Sequence, residues 1–211
     1  MCPFDAWTAR SALDKIFWGT LVCVIDFHFT QTSGSGGFRF DVISDVVGAA
    51  MIAWGLGQLL PLIPVSAYAK IMSFCQLIAA VAVLEALAGH IVMDWPPPVR
   101  LLSMAFSLIC LLAVYRFCDA MRLFCSSLAL THVEQSWRLS QQLFLWLNAV
   151  PAVILHAASL LVMFSREKVH LNIGPLAIAI VIAAMVPLVH ILVSIRRTRS
   201  ALFQPPQGVA I

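Results

Sequence analysis

The residues of this 211-residue sequence that could do chemistry inside a membrane are four carboxylates in its first half, Asp26, Asp41, Asp45 and Glu85. Asp26 falls late in a first apolar run, Asp45 early in a second and Glu85 late in a third. Consecutive membrane helices run in opposite directions, so these three should share one depth near one membrane surface. Asp41 precedes Asp45 by one helical turn, and Arg39 stands at the rim.

Two interpretations of this carboxylate group stay open. In the first, Asp41 and Asp45 cap a helix N-terminus, where a carboxylate accepts backbone N–H bonds and meets the positive end of the helix dipole. In the second, like charges at one depth share a proton, pair with Arg39 or hold a bound cation, because they would otherwise repel one another. The first interpretation is our expectation, and the second would make the group a cation or proton site.

Small residues recur on the helices that carry these acids. Ala49, Ala53 and Gly57 continue the face of Asp45, and Ala82 and Ala86 flank Glu85. Rows of small residues at four-residue spacing let membrane helices approach closely. We therefore predict that the acids face helix contacts and not lipid, as ionisable residues within membranes generally do.

Composition defines the class of protein that positions these residues. The chain is 61% hydrophobic and 11% charged, far below the charge of an average globular protein, which is about 25%. We predict an all-α polytopic membrane bundle forming a single domain over 1–211, with little room for a soluble domain. Its six predicted spans cover 12–30, 42–63, 68–90, 99–118, 141–164 and 172–194, followed by a cytoplasmic tail over 195–211.

The distribution of Lys and Arg predicts the orientation. With six spans, nine of these residues fall on the side of the two termini and four on the other. The positive-inside rule then places both termini in the cytoplasm. The net charge of +3 reflects this topology, and without a basic stripe interleaved with aromatics we expect no nucleic-acid partner.

The spacing of apolar residues over 116–138, between spans four and five, predicts an amphipathic cytoplasmic helix. This helix is either an extension of span four or lies in the headgroup plane. Its two sides differ in character: Met121, Phe124, Cys125 and Leu128 form one, and Asp119, Arg122 and Ser126 the other. Membrane anchoring and docking of a partner both fit this pattern, with anchoring favoured.

The remaining reactive side chains give no catalytic pattern. The histidines, among them His156 and His190, fall at unmatched depths for a haem between two spans, and no H-x-x-x-H spacing occurs. The cysteines lie in or beside apolar helices without a C-x-x-C pair, which is typical of packing residues. We therefore expect no enzyme activity, no catalytic residues, no metal and no cofactor.

The first hairpin resembles a group of uncharacterised bacterial inner-membrane proteins whose pattern reads I-D, then D-L-L-P-D-F-I-G-Y, then G-L. Ile25-Asp26-Phe27 is followed here by FDVISDVVG at 40–48, so Asp41, Asp45 and Gly48 match the pattern. Ser44 stands where that group has proline. The resemblance covers roughly residues 20–90 and implies a small protein of the bacterial inner membrane, without a known activity or cofactor.

Two functions remain compatible with the sequence. The expected one is a non-enzymatic accessory or structural subunit that packs in the bilayer with other membrane proteins or with copies of itself. The alternative is a small cation- or proton-linked transporter or channel that uses the external carboxylates. An inverted repeat would favour transport, but spans four to six contain no intramembrane acid corresponding to Asp26, Asp45 or Glu85.

Overall fold

A computed structural model describes the backbone over residues 5–24, 28–33, 36–41, 45–91, 97–165 and 176–203. The chain divides into two compact units. Unit 1 comprises residues 1–94 with 202–211, and unit 2 comprises residues 95–201. The fold is predominantly helical, and each unit is built around its own helix contacts.

The described part of unit 1 contains three α-helices, α1 (Ala6–Val24), α2 (Asp45–Leu59) and α3 (Ser66–Ile91). Helix α2 packs against both of its neighbours. A single 3-10 turn, Leu60–Leu62, ends α2 at Pro61, because proline has no N–H to continue the helical ladder. The buried Tyr68 hydroxyl donates to the Leu59 carbonyl at 3.0 Å and thereby satisfies an acceptor at this corner.

Helix α1 begins and ends earlier than the predicted first span, 12–30. Its start is fixed by Asp5, whose Oδ1 accepts from the N–H groups of Trp7 at 3.0 Å and Thr8 at 3.2 Å. The Thr8 hydroxyl donates to Oδ2, and this bond lowers the pKa of Asp5 below its ordinary value of 3.8. An exposed acid with these three acceptor contacts is an N-terminal cap.

The end of the predicted first span is wrong, because residues 28–33 form a strand. Strand β1 (His28–Ser33) pairs with β2 (Gly36–Asp41) in an antiparallel hairpin that sets Ser33 opposite Gly36. Strand β1 contains the aromatic Phe29 and the β-branched Thr30 and Thr32, residue types that favour a strand. The last two pairs of this hairpin are Thr32 with Gly37 and Ser33 with Gly36.

Close backbone contact joins α1 to α2. A Cβ placed on Gly48 would lie 2.8 Å from the Gly19 carbonyl oxygen, and one placed on Gly19 would lie 2.6 Å from the Gly48 carbonyl oxygen. Gly55 meets Ala12 in the same way, at 2.7 Å from its carbonyl oxygen. Only glycine fits at such distances. Polar contacts accompany them: Lys15 donates to the Gln58 side-chain oxygen at 2.9 Å, and the Cys23 thiol lies 4.0 Å from the Asp45 carbonyl oxygen.

In unit 2 the described residues form four α-helices, α4 (Pro97–Ser127), α5 (Thr131–Phe144), α6 (Val150–Ser165) and α7 (Leu176–Ala201). A π-helical turn, Leu145–Ala149, joins α5 to α6 immediately before Pro151. Helix α5 packs against both α4 and α7. The predicted fifth span, 141–164, therefore starts too late, since the continuous helix begins at Thr131.

The segment predicted as one amphipathic helix, 116–138, is interrupted. Helix α4 ends at Ser127, and Ala129 adopts a left-handed φ of 56°. The N–H of Leu130 donates to the Cys125 carbonyl at 2.9 Å and that of Ala129 to the Ser126 carbonyl at 3.1 Å, the two bonds of a Schellman cap. Met121, Phe124 and Cys125 are buried within the unit, so this apolar side packs against protein.

Within the described residues, four helices are long and apolar enough to cross a membrane: Asp45–Leu62, Ser66–Ala88, Leu101–Ser127 and Thr131–Leu160. They correspond to predicted spans two to five. Helix α1 is not among them. It carries three charged residues, Arg10, Asp14 and Lys15, and its charge-free part runs only from Ile16 to Val24. About 20 apolar residues are needed to span the bilayer core.

Candidate functional site

The structure places the predicted carboxylate group only in part. Asp26 lies outside the described residues, and Arg39 and Asp41 are described as backbone positions of β2 whose side chains lie outside the description. Asp45 is the first residue of α2, with its Oδ1 atom buried, and Glu85 is half-buried on α3. Across the described ranges, no three His, Cys, Asp or Glu side chains are grouped to hold a metal ion.

The predicted small residues occupy several environments. Ala49 is buried, Ala53 is half-buried, and a Cβ on Gly57 would lie 2.6 Å from Nε2 of Gln76 on α3. Ala82 and Ala86 are half-buried on α3. The backbone contacts of α2 with α1 instead use Gly48 and Gly55, which the predicted stripe did not include. Their seven-residue separation places both glycines on one face of α2. This spacing is the feature of the sequence from which the contact could have been predicted.

Unit 2 contains a buried cluster of hydroxyl groups between α5 and α7. Ser194 Oγ lies 2.8 Å from Ser136 Oγ and 2.9 Å from Ser140 Oγ. Ser140 Oγ is also 2.8 Å from Nδ1 of His190. Arg197 donates to Ser136 Oγ at 3.2 Å. All three serines are buried, and in a low-dielectric interior such a network stabilises the helix contact only because its members are mutually bonded. We call these five residues the hydroxyl cluster.

A tryptophan extends this contact by one helical turn. Trp137 is fully buried, and its Nε1–H donates to the Thr198 hydroxyl at 2.9 Å. Its ring meets that of Phe117 on α4 edge to face, with centroids 5.6 Å apart. Trp137 thus links α5 to both neighbours, with its apolar body in the core and its N–H bonded.

A second polar region lies between α4 and the helix formed by α5 and the π-helical turn. It is a pocket of about 420 Å³, here called the arginine pocket, and it is lined by Tyr115, Arg122, Arg138, Gln141, Gln142, Leu145 and Trp146. Two of these residues, Arg122 and Arg138, are positively charged. The described lining includes no acidic side chain. Such a pocket has the chemistry to bind an anion.

Two partners hold Arg122 in the pocket wall. Its Nη1 lies 3.2 Å from Oδ1 of Asp119 and 3.2 Å from Oε1 of Gln141. The buried amide of Gln141 also donates to the Tyr115 carbonyl at 3.5 Å. Arg138 is exposed and, among the described residues, has no carboxylate within 4 Å. One arginine is thus fixed and the other is available.

The π-helical turn forms the end of this pocket that lies farthest along α5 from the α4–α5 turn. Val150 N–H donates to the Leu145 carbonyl, the five-residue spacing of a π-helix. The extra residue precedes Pro151, which cannot donate to Leu147. Leu145 and Trp146, both in this turn, line the pocket. A π-turn of this kind often marks a functional position.

Sequence reasoning missed both polar regions of unit 2. The arginines were visible as topology signals, and Arg122 also as part of the polar side of 116–138, but nothing in the sequence pairs α4 with α5 in register. The hydroxyl signal was the four-residue spacing of Ser136 with Ser140 and of Ser194 with Thr198, which places each pair on one helix face. His156, expected to be structural, has its Nε2 2.7 Å from Ser107 Oγ on α4.

The four long apolar helices fit an α-helical membrane protein. Comparison with known proteins found no matching family model, no matching curated protein and no matching solved structure.

Proposed function

We propose that this chain is a non-enzymatic, multi-pass protein of a bacterial inner membrane that acts as an accessory or structural subunit. It packs within the bilayer against another membrane chain or a second copy, with both termini in the cytoplasm. The first-hairpin resemblance supports the bacterial assignment, and the Lys and Arg distribution supports the orientation. The assembly proposal depends mainly on helix α3.

The uncovered face of α3 is the observation that carries the proposal. Its candidate span, Ser66–Ala88, has a mean hydropathy of 2.1, the highest of the four described candidate spans, and 11% of it is buried. Exposed residues recur along one face at alternating spacings of four and three: Ser73, Leu77, Ala80, Leu84 and Leu87. This is the spacing of a coiled-coil seam, which can accept a partner helix along its length.

The side-chain sizes in this seam favour a helix over lipid as the neighbour. Ala80 stands between Leu77 and Leu84, so a small position separates two large ones. Lipid tails require no small residues, whereas helices in membranes approach each other through them. Glu85 lies beside the seam, and a carboxylate at such a position is normally directed toward protein or water.

A matched pair of substitutions tests the proposal. Ala80→Leu fills the small position in the α3 seam, and Ala158→Leu makes the same change at an exposed alanine of α6. We expect Ala80→Leu to reduce the fraction of chemically crosslinked complex in native membranes, because the added side chain separates the helices. Ala158→Leu should leave that fraction unchanged. Equal crosslinking in both variants would show that lipid covers the α3 seam.

A further inference from the structure

The arginine pocket has a polar end and an apolar end, and its position along the helices gives each end a depth. At 1.5 Å per residue, Arg122 and Arg138 lie about 8 and 11 Å from the helix ends that meet at the α4–α5 turn. Tyr115 and Trp146 lie about 18 and 23 Å from the same ends. The charged groups are therefore shallow, and the aromatic groups are deep.

The charged residues of α4 relate these depths to the bilayer. The charge-free stretch of α4 lies between Arg100 and Arg116 and is about 24 Å long, so the hydrocarbon core ends near Arg116, one residue beyond Tyr115. The arginine end lies beyond this point, at headgroup level. The end formed by Tyr115, Leu145 and Trp146 falls beside the upper acyl chains.

The charges of the pocket are prepared for a phosphate. Gln141 and Asp119 fix the Arg122 guanidinium through Nη1, and its buried Nε has no acceptor among the described residues. Holding a guanidinium in place beforehand lowers the entropic cost of binding a ligand. Arg138 adds a second positive charge that no described carboxylate neutralises. Arginine pairs are well suited to phosphate oxygens.

We propose that the arginine pocket binds the phosphate-bearing headgroup of an anionic phospholipid. Arg122 and Arg138 contact the phosphate, and the glycerol and upper acyl segments lie against Leu145 and Trp146. A free phosphate would use only the arginine end, so the joined apolar end favours the lipid. This site goes beyond the proposed assembly, because it needs only unit 2 in a membrane and no partner on α3.

Native mass spectrometry of the detergent-purified chain, titrated with dioleoyl phosphatidylglycerol or dioleoyl phosphatidylcholine, tests the site. We expect phosphatidylglycerol to bind more tightly. Arg138→Gln should weaken its binding about five- to tenfold, the effect of removing one arginine near a phosphate. Arg138 makes no internal ion pair among the described residues, so this variant should fold. Arg196→Gln, an exposed arginine outside the pocket, is the matched control and should bind as the parent does.

A third variant separates lipid from free phosphate. Trp146→Ala removes part of the apolar end, so it should weaken phosphatidylglycerol binding while leaving the arginines in place. Inorganic phosphate at millimolar concentration should compete poorly. Equal loss in Arg138→Gln and Arg196→Gln, or equal binding of the two lipids, would overturn the site. Efficient competition by inorganic phosphate together with unchanged lipid binding in Trp146→Ala would overturn the lipid assignment.

Discussion

In unit 1 the helices α1 and α2 meet through glycines at backbone distance, whereas in unit 2 the helices α5 and α7 meet through bonded hydroxyl groups. Both solutions answer one physical problem. Lipid tails are as apolar as leucine, so the hydrophobic effect does little to drive membrane helices together. Close packing and interhelical hydrogen bonds remain as sources of attraction, and each unit relies mainly on one of them.

The two kinds of contact should respond differently to substitution. A glycine contact is limited by the backbone, which cannot move unless the helices separate. A hydroxyl contact is spread over several bonds, and interhelical hydrogen bonds in a membrane contribute about 0.6 kcal/mol on average and at most about 1.7. Glycine substitutions should therefore have the larger effects.

Gly48→Leu should be the most damaging single change. Its side chain would meet the Gly19 carbonyl oxygen, and we expect the free energy of unfolding in mild detergent to fall by about 3 kcal/mol or more, at the upper end of overpacking. Gly57→Ala is the control, because its Cβ meets only the movable end of the Gln76 side chain. Similar losses in both variants would show that backbone contact is not what distinguishes Gly48.

Thr198→Val should have the next largest effect, because it leaves the buried Trp137 Nε1–H without its acceptor. We expect a loss of about 1 to 2 kcal/mol in the free energy of unfolding. Trp137→Phe should lower the free energy of unfolding less in the Thr198→Val variant than in the parent chain, because in that variant it removes an N–H group that has already lost its acceptor. Strict additivity in this double-mutant cycle would show that the hydrogen bond between Trp137 and Thr198 does not contribute to stability.

Asp45→Asn tests whether the first residue of α2 acts as a cap. The amide keeps an acceptor and loses the charge, so we expect a cost of about 0.5 to 1 kcal/mol, with assembly intact. A melting temperature that depends on pH or cations in the parent, but not in Asp45→Asn or Asp26→Asn, would contradict capping. That result would favour the cation- or proton-linked transporter.

Ala129→Gly, in the turn between α4 and α5, should raise the free energy of unfolding. Ala129 holds a φ of 56°, which is strained for a residue with a Cβ, and glycine removes that strain at some cost in unfolded-state entropy. We expect a net gain of about 0.5 kcal/mol. A lower melting temperature for this variant would show that the left-handed turn is not a strained part of unit 2.

Asp5→Asn should have the smallest effect on stability, and we expect to detect it as a change in how the melting temperature depends on pH. The folded pKa of Asp5 is lowered by the Thr8 hydrogen bond, so its contribution is fully present above the unfolded pKa, near 3.8. It is lost as the pH falls through the lower, folded pKa. The melting temperature of Asp5→Asn should therefore approach that of the parent chain below pH of about 3.8. A difference that stayed constant across this range would contradict the cap.

The sequence could predict the long helices because their apolar runs are uninterrupted. Helix α3 was expected over 68–90 and is observed over Ser66–Ile91. The errors occur where the chain turns without a sequence signal. Neither glycine nor proline marks the turn at 128–130, so the break between α4 and α5 was missed. The strand at 28–33 was missed because its apolar residues continued the first span.

The polar regions of unit 2 could not be predicted for a different reason. Ser136 and Ser194 are far apart in the sequence, and neither has a local feature that shows its partner. The pairing depends on how α5 packs against α7. Arg122 and Arg138 were recognised as charges, but a pocket exists only once the register of α4 and α5 is known. The acids near α2 were visible because a charge in an apolar run is conspicuous by itself.

Proposed assembly within the bilayer is tested most directly by extracting the chain from its native membrane in polymer-bounded lipid discs and measuring the mass of the particle. We expect a particle mass greater than that of one chain, either with a second membrane protein in fixed ratio or with further copies, and a lower mass for Ala80→Leu. A particle that contains one copy of this chain and lipid, unchanged by Ala80→Leu, would contradict it.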